Sequence, residues 1–182
     1  MARPVPDPPL TLIRHGAPTA VPGVAASEWD LDPAGFDAVW ALRERVAALV
    51  PAGAVWCCSP EPKAQQTAQL LTDAPVAVLP GLAEHRRDAT WWPDFEERVA
   101  AAFARPEEPA APGWEPLAVC QERVLATVAA ARNDLAGTAP LVLVGHGTAL
   151  CALEAGLSGR ALHDPGVLAR WRSLALPDVW QV

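Results

Sequence analysis

Two short apolar runs, each followed by a histidine beside a glycine, constrain the fold of this chain more than any other feature. Residues 10–13 lead into Arg-His-Gly, and residues 141–144 lead into Gly-His-Gly. A short apolar run that stops at a glycine is typical of a buried strand followed by a turn. We therefore expect His15 and His146 directly after the carboxyl ends of two buried strands.

The rest of the chain predicts strands in alternation with helices. This alternation is typical of a mostly parallel sheet with helices on both faces, a three-layer α/β/α sandwich. The length of 182 residues fits one domain over 1–182, and we expect an insert at about 92–116 to cap its pocket and set specificity. The predicted strands are 10–13, 54–58 and 75–79, then 141–144 and one or two edge strands in the tail. The predicted helices are 33–50, 61–72, 93–104, 116–135 and one from 147 to about 156.

Composition and charge exclude several classes of function. The formal net charge of -7 argues against nonspecific binding to nucleic acid or to an anionic membrane. No apolar stretch is long enough to span a bilayer. Residues 1–9 are proline-rich and lack the apolar core of a signal peptide, so we expect a cytoplasmic protein. The cysteines match no zinc-binding spacing, so buried reduced thiols are expected at 57, 58, 120 and 151.

The polar residues cluster after the predicted strands. Arg14, His15, Ser59, the stretch 81–92 and His146 each follow the carboxyl end of one. Ligands in parallel α/β sheets bind outside those ends. Separate segments of the chain are therefore expected to converge on one crevice.

The motifs at these positions carry a resemblance to a known family. Residues 12–16, Leu-Ile-Arg-His-Gly, resemble the Arg-His-Gly signature of the histidine phosphatase superfamily, which has the phosphoglycerate-mutase-like fold. Residues 59–68 are similar to its second motif, a Ser, an Arg four residues on, then Ala-x-Gln-Thr-Ala. Residues 82–84 resemble its acid loop and 144–147 its late Gly-His motif. The matches occur in the family's order over about 10–150.

The resemblance implies a phosphomonoester hydrolase that acts on a small phosphorylated substrate through a phosphohistidine. His15 would be the nucleophile, because imidazole is the side chain that can be neutral near pH 7. His146 would donate to the transferring phosphoryl group. Glu84 would be the general acid for the leaving oxygen and then the base for water. The neighbouring Asp88 stays an alternative for that acid.

The resemblance also implies the phosphate contacts. Arg14 would clamp phosphoryl oxygens with its planar fork of donors. Gly16 and Gly147 would let backbone approach the ligand, and the helix after Gly147 would present N–H groups to the anion. We expect no metal and no cofactor, because Arg14, Lys63 and His146 would supply the positive charge.

Lys63 departs from the family pattern. It stands where the second motif carries Arg, and it is the only Lys among 14 basic residues. Lys is a compact point charge without the bidentate geometry of Arg. Three interpretations stay open: turnover with Lys, slow turnover or a different substrate geometry, and phosphate binding without turnover. Arg86 or Arg87 is a candidate for the missing guanidinium.

Three other functions stay open. They are a phosphoglycerate-type mutase, a protein phosphohistidine phosphatase, which an open shallow pocket would favour, and a noncatalytic phosphate-binding module. His85 and His163 are expected at the surface or in a supporting position. Trp91 and Trp92 are expected to anchor their loop in the core rather than to form a substrate platform. The sequence makes no prediction of oligomeric state.

Overall fold

A five-stranded sheet lies at the centre of the computed structural model, which describes residues 8–182. Residues 1–7, where the sequence predicts no signal core, lie outside the described residues. The strand order is β3-β2-β4-β1-β5. The β5 strand is antiparallel to β1, and the other pairs are parallel. The strands are β1 (Leu10–Arg14), β2 (Val55–Cys58), β3 (Val76–Val78), β4 (Leu141–Gly145) and β5 (Asp178–Gln181).

In the described part of the chain, six α-helices cover the sheet, and the sequence predicts the first five. They are α1 (Phe36–Leu49), α2 (Pro62–Leu71), α3 (Phe95–Ala104), α4 (Leu117–Ala131), α5 (Gly147–Leu157) and α6 (Pro165–Ser173). The sequence analysis does not predict the α6 helix. Its start carries a sequence signal, since the Asp164 side chain accepts the Gly166 N–H at 2.7 Å. Within residues 8–182, no helix is long and apolar enough to cross a membrane.

Two predicted helices, α1 and α4, are four or five residues shorter than expected, and the other three differ from their predicted lengths by at most two residues. The first begins at Phe36, because Pro33–Gly35 forms a separate 3-10 turn capped by Asp32. The α4 helix ends at Ala131 and passes into the π-turn Arg132–Ala136. Both differences lie at helix ends, where alternative backbone hydrogen bonding is common.

The core divides into two layers, one on each face of the sheet. Successive side chains on a strand point to opposite faces, so Cys57 packs with the α3–α6 side and Cys58 with the α1–α2 side. All four cysteines are buried and unpaired, as predicted. The predicted three-layer α/β sandwich with a mostly parallel sheet is confirmed.

The sheet sets the positions of the polar residues. The ladder continues one residue beyond the strands: the His15 N–H donates to the Gly145 carbonyl at 3.0 Å, and the Ser59 N–H donates to the Val144 carbonyl at 2.9 Å. The carboxyl ends of β1, β2 and β4 therefore lie level. His15, Ser59 and His146 meet at one edge of the sheet.

Candidate active site

A cavity of about 750 Å³ opens at the carboxyl edge of the sheet. It brings together residues from the four segments that the sequence singles out. Most of its ionisable lining lies at the strand ends. That part comprises Arg14, His15, Lys63, Glu84, Arg87 and His146.

The imidazole of His15 is held by one backbone contact. Its Nδ1 lies 2.6 Å from the Gly16 carbonyl oxygen. A carbonyl only accepts hydrogen bonds, so Nδ1 carries the hydrogen, and the lone pair lies on Nε2. Burial lowers the pKa of His15 well below its usual value; protonation of the adjacent His146 would lower it further, and the positive charges of Lys63 and Arg14 also lower it. The free protein thus holds a neutral, oriented imidazole in the cavity wall.

His146 lies against His15 and is fully buried. The ring centroids are 5.0 Å apart in an edge-on arrangement. Its Nε2 is 2.7 Å from the Ser59 hydroxyl and 3.5 Å from the Glu61 carboxylate. Burial lowers the pKa of His146 to about 3. Its Nδ1 is buried without a hydrogen-bond partner among residues 8–182.

Lys63 is buried beside a carboxylate. Its Nζ donates to Glu61 Oε2 and to the Ala26 carbonyl, each at 2.5 Å. The Lys63 and Glu61 side chains are only 5% and 6% exposed. The charge that the sequence assigns to a phosphate ligand is therefore largely neutralised by a partner within the protein.

Glu61 is a residue at this site that the sequence analysis did not single out. Besides pairing with Lys63, its Oε1 accepts the Glu84 backbone N–H at 2.8 Å and lies near His146. It connects the second motif, the acid loop and the late histidine. The sequence feature that could have identified Glu61 is its place two positions before the only lysine in the chain.

The Glu84 carboxylate sits at the N-terminus of α5. Its Oε1 accepts the N–H groups of His85 and Ala149, both at 2.8 Å, and its Oε2 accepts that of Thr148 at 3.3 Å. We expected N–H groups after Gly147 to bind the substrate anion. Those of Thr148 and Ala149 bind this carboxylate instead, because it brings a negative charge to the same helix end.

Glu84 is ionised in the free protein. Burial raises its pKa, but the positive potentials of His146 and Arg87 and the N–H groups of His85 and Ala149 outweigh burial and lower it to about 2. Since His146 is itself neutral near pH 7, Arg87 is the cation that holds the negative charge there.

Arg123 fixes the acid loop. Its guanidinium donates to the carbonyls of Gly81 and Ala83, both at 2.8 Å, and to that of Glu84 at 3.1 Å. It also donates to the Glu115 carboxylate at 2.5 Å. One buried side chain from α4 thus sets the position of the Glu84 backbone.

The two glycines differ in what they accommodate. A Cβ at Gly147 would lie 3.2 Å from the Arg14 Nε, so this glycine leaves room for the guanidinium in the cavity wall. A Cβ at Gly16 would lie 2.5 Å from Val39 and 2.7 Å from Leu31. Gly16 therefore allows close packing in the core rather than a close approach of backbone to ligand.

Arg14 is held by the C-terminal part of the chain. Its Nη1 donates to the Leu174 carbonyl at 2.9 Å and to the Ala175 carbonyl at 3.4 Å. Its Nε is buried without a partner among residues 8–182. The guanidinium is positioned at the cavity while part of its donor set is unpaired.

Comparison with known families decides the relationship. Residues 10–169 match the model of the histidine phosphatase superfamily (branch 1). The chain belongs to the histidine phosphatase superfamily. No curated protein matches at the level required for a relative.

Solved structures of the same fold include several phosphatases. Mycobacterial glucosyl-3-phosphoglycerate phosphatase is 22% identical, with a TM-score of 0.71 over 92% of this chain and 84% of that one. A phosphoserine phosphatase from Entamoeba histolytica, solved with 3-phosphoglyceric acid, is 16% identical, with a TM-score of 0.66 over 95% and 89%. A mycobacterial protein named hydrolase 1 is 22% identical, with a TM-score of 0.72 over 96% and 90%. These likenesses confirm the phosphoglycerate-mutase-like fold.

The two arginines after the acid loop differ in position. Arg87 lines the cavity, with its guanidinium carbon 4.6 Å from the centroid of the Phe95 ring and 5.4 Å from that of Trp114. Its Nη1 is buried without a hydrogen-bond partner in the described part of the chain. Arg86 is exposed and lies outside this cavity. Of the two candidates for the missing guanidinium, only Arg87 is at the site.

The other residues that the sequence analysis considered lie in different surroundings. His85 is buried in a supporting position: its ring Nε2 is 2.6 Å from the Glu115 carbonyl. His163 is exposed. Asp88 is exposed at the cavity wall and binds Thr90, so it lacks the buried setting of Glu84.

The expectation that Trp91 anchors its loop in the core is wrong. Trp91 is 58% exposed and lines the cavity, with its ring centroid 6.3 Å from that of Trp29. Trp92 also lines the cavity and is half-buried beneath Arg98, whose guanidinium carbon is 3.7 Å from the ring centroid. From the predicted insert, α3 and the flanking loops contribute further walls. Across residues 8–182, no cluster of three or more His, Cys, Asp or Glu could hold a metal ion.

Proposed function

We propose that this member of the superfamily is a phosphomonoester hydrolase that forms a phosphohistidine on His15. The observation that carries the proposal is the state of that imidazole: a neutral ring whose Nδ1 is fixed on the Gly16 carbonyl, in a cavity lined by Arg14, Lys63 and Arg87. A neutral ring is a nucleophile, and the cations compensate the roughly two negative charges of a phosphomonoester.

The reaction then has two balanced steps. The Nε2 lone pair of His15 attacks phosphorus, the bond from phosphorus to the leaving oxygen breaks, and that oxygen takes a proton from Glu84. Water next attacks the phosphohistidine, Glu84 takes a proton from the water, and the N–P bond breaks to release phosphate. Glu84 Oε2 is suited to this role, because its hydrogen bond to Thr148 is the longest that the carboxylate accepts.

Glu84 has to take up the proton for the first step when the substrate binds. With its pKa at about 2, the carboxyl is ionised in the free protein and suits the base of the second step. An entering phosphoryl dianion repels that charge and favours the protonated form. The same field favours protonation of His146, in which both ring nitrogens carry a hydrogen, so that Nδ1, which has no partner among residues 8–182, would be a donor.

The phosphoryl oxygens would be bound without a metal. Arg14 and Arg87 both line the cavity, and each has a buried donor nitrogen without a partner among residues 8–182, which a shift of the side chain towards the anion would satisfy; this supports them as the two guanidinium ligands. Lys63, tied to Glu61, would contribute less charge than its place in the motif suggests. This arrangement supports turnover in spite of the missing motif Arg, and so favours an enzyme over a noncatalytic phosphate-binding module.

The depth of the site favours a small phosphorylated metabolite over a phosphorylated protein. His15 is 7% exposed and His146 is fully buried. A phosphohistidine on a folded protein surface would have to enter this recess with its backbone. A phosphate ester of a small alcohol can enter alone.

The test is substitution of the nucleophile. His15→Ala should lower turnover of an aryl phosphate by at least about 1,000-fold, because the covalent route is removed. His163→Ala, at an exposed histidine, is the matched control and should retain wild-type turnover. Rapid quench of the wild type should trap an acid-labile, base-stable phosphoenzyme on His15. Wild-type turnover by His15→Ala would refute the mechanism, and isomerisation of a phosphoglycerate without phosphate release would indicate a mutase.

A further inference from the structure

The cavity is much larger than a phosphoryl group requires. Besides its charged residues, six aromatic side chains contribute to its walls. These belong to Trp29, Trp91, Trp92, Phe95, Trp114 and Trp171. We propose that these walls form a leaving-group subsite for a planar, uncharged aromatic group. The proposal rests on the proposed hydrolase activity and names the class of its substrate.

Trp29 and Trp91 form the part of the wall most available to a ligand. The Nε1 of Trp29 donates to the Val24 carbonyl at 3.1 Å, which fixes the indole and leaves its ring as contact surface. Trp91 is 58% exposed in the free protein. Covering that ring with an aromatic ligand removes apolar surface from water and adds a favourable ring–ring contact.

The geometry of this pair suits a flat group. The ring centroids are 6.3 Å apart and the planes are inclined by 42°. The gap is too narrow for a third ring to stack between them, since two stacked contacts need roughly 7 Å. Two inclined rings instead form a corner, in which a planar group stacks on one face and meets the edge of the other.

Charges around the subsite disfavour an anionic leaving group. Asp88, Glu96 and Glu97 are exposed and line the cavity, so a carboxylate or second phosphate would meet like charge. For a cationic group the two effects oppose each other. Arg87 already lies over Phe95 and Arg98 over Trp92, so these rings are occupied, whereas the carboxylates would attract a cation to the Trp29–Trp91 pair. Phosphocholine therefore serves as the competing probe in the experiment below.

Stacking needs no hydrogen-bond partner on the ligand, so an all-carbon ring is the simplest probe of the subsite.

The experiment compares phosphate esters of primary alcohols, so that the leaving-group chemistry is matched. The wild type should hydrolyse 2-naphthylmethyl phosphate with kcat/KM about 50-fold above that for ethyl phosphate. Phosphocholine and 3-phosphoglycerate should fall below the naphthyl ester. Trp91→Ala should lower the naphthyl-to-ethyl ratio by about 10-fold, and Trp91→Phe should restore part of it. Trp40→Ala, at another 58% exposed tryptophan that lies on α1 outside the cavity, should keep the wild-type ratio.

A parallel binding experiment separates failure of the subsite from failure of the hydrolase. Calorimetry with 2-naphthylmethylphosphonate and ethylphosphonate needs no turnover. Tighter binding of the naphthyl compound, lost in Trp91→Ala, would support the subsite even if no ester were hydrolysed. Equal dissociation constants for the two phosphonates would overturn it, as would a preference for phosphocholine or 3-phosphoglycerate. Hydrolysis of all the esters at one rate would support the proposed hydrolase activity and refute the aromatic subsite.

Discussion

The substitution Glu61→Gln tests the conclusion that Glu61 largely neutralises the charge of Lys63. Lys63 and Glu61 are both about 95% buried, and their charged atoms are 2.5 Å apart. Glutamine keeps the volume and can still accept the Glu84 N–H, but it removes the countercharge. Leaving one charge of a buried pair without its partner costs about 3 kcal/mol or more.

For a chain of this length, such a loss corresponds to a fall of roughly 6–12 °C in the unfolding midpoint. The matched control is Glu108→Gln, which breaks the exposed Arg105–Glu108 pair with side chains 67% and 66% exposed. Exposed pairs contribute at most about 1 kcal/mol, so this variant should unfold within a few degrees of the wild type. Thermal unfolding followed by circular dichroism measures both.

Inorganic phosphate adds a second measurement on the same variant. Without Glu61, the Lys63 ammonium is free to pair with an anion in the cavity. Phosphate should therefore raise the unfolding midpoint more in Glu61→Gln than in the wild type, and a 10-fold gain in affinity corresponds to about 1.4 kcal/mol at saturation. The reasoning is refuted if Glu61→Gln unfolds like Glu108→Gln, or if phosphate stabilises the variant and the wild type equally.

Two further predictions concern protonation and the acid loop. Burial holds the pKa of His15 and of His146 below the value that each has in the unfolded chain. Below about pH 6.5 the unfolded chain therefore binds more protons than the folded protein, and the urea concentration at the unfolding midpoint should decrease from pH 7 to pH 5. An increase over that range would contradict this prediction. Ionised Glu84 adds stability above pH 4.5 that is lost as the pH falls from 4.5 towards 2. Arg123→Lys should reduce kcat by about 10-fold with a smaller change in KM, because lysine cannot hold three carbonyls of the acid loop at once. Steady-state kinetics that match the wild type would exclude this positioning role.

Strands and the main helices could be predicted because their apolar patterns are strong. The run 141–144 is fully buried in the structure and has no other interpretation of comparable strength. The α6 helix was missed although Asp164-Pro165 gives the same start signal as Asp32-Pro33. Only Val167 of that helix is buried, so the helical periodicity that would have extended the signal is absent.

At the site, the sequence places the histidines but not their partners. His15 and His146 follow from strand ends, which are local features. The contact between Glu61 and Lys63 depends on the extended backbone of Glu61 just before α2, with φ -74 and ψ 136, and residues two apart would not meet within a helix. The position of Trp91 at the cavity depends on the irregular loop after β3, which has no periodicity to read.

The placement of β1 has a consequence for synthesis of the chain on the ribosome. The strand that carries Arg14 is made well before its partner strands, because it pairs with 141–145 on one side and with 178–181 on the other. At synthesis rates of about 5–20 residues per second, its first partner is made on the order of ten seconds later. During that interval the apolar stretch 10–13 has no sheet to join. The β1 strand is thus inserted late, between two strands that are made after the other two strands of the sheet.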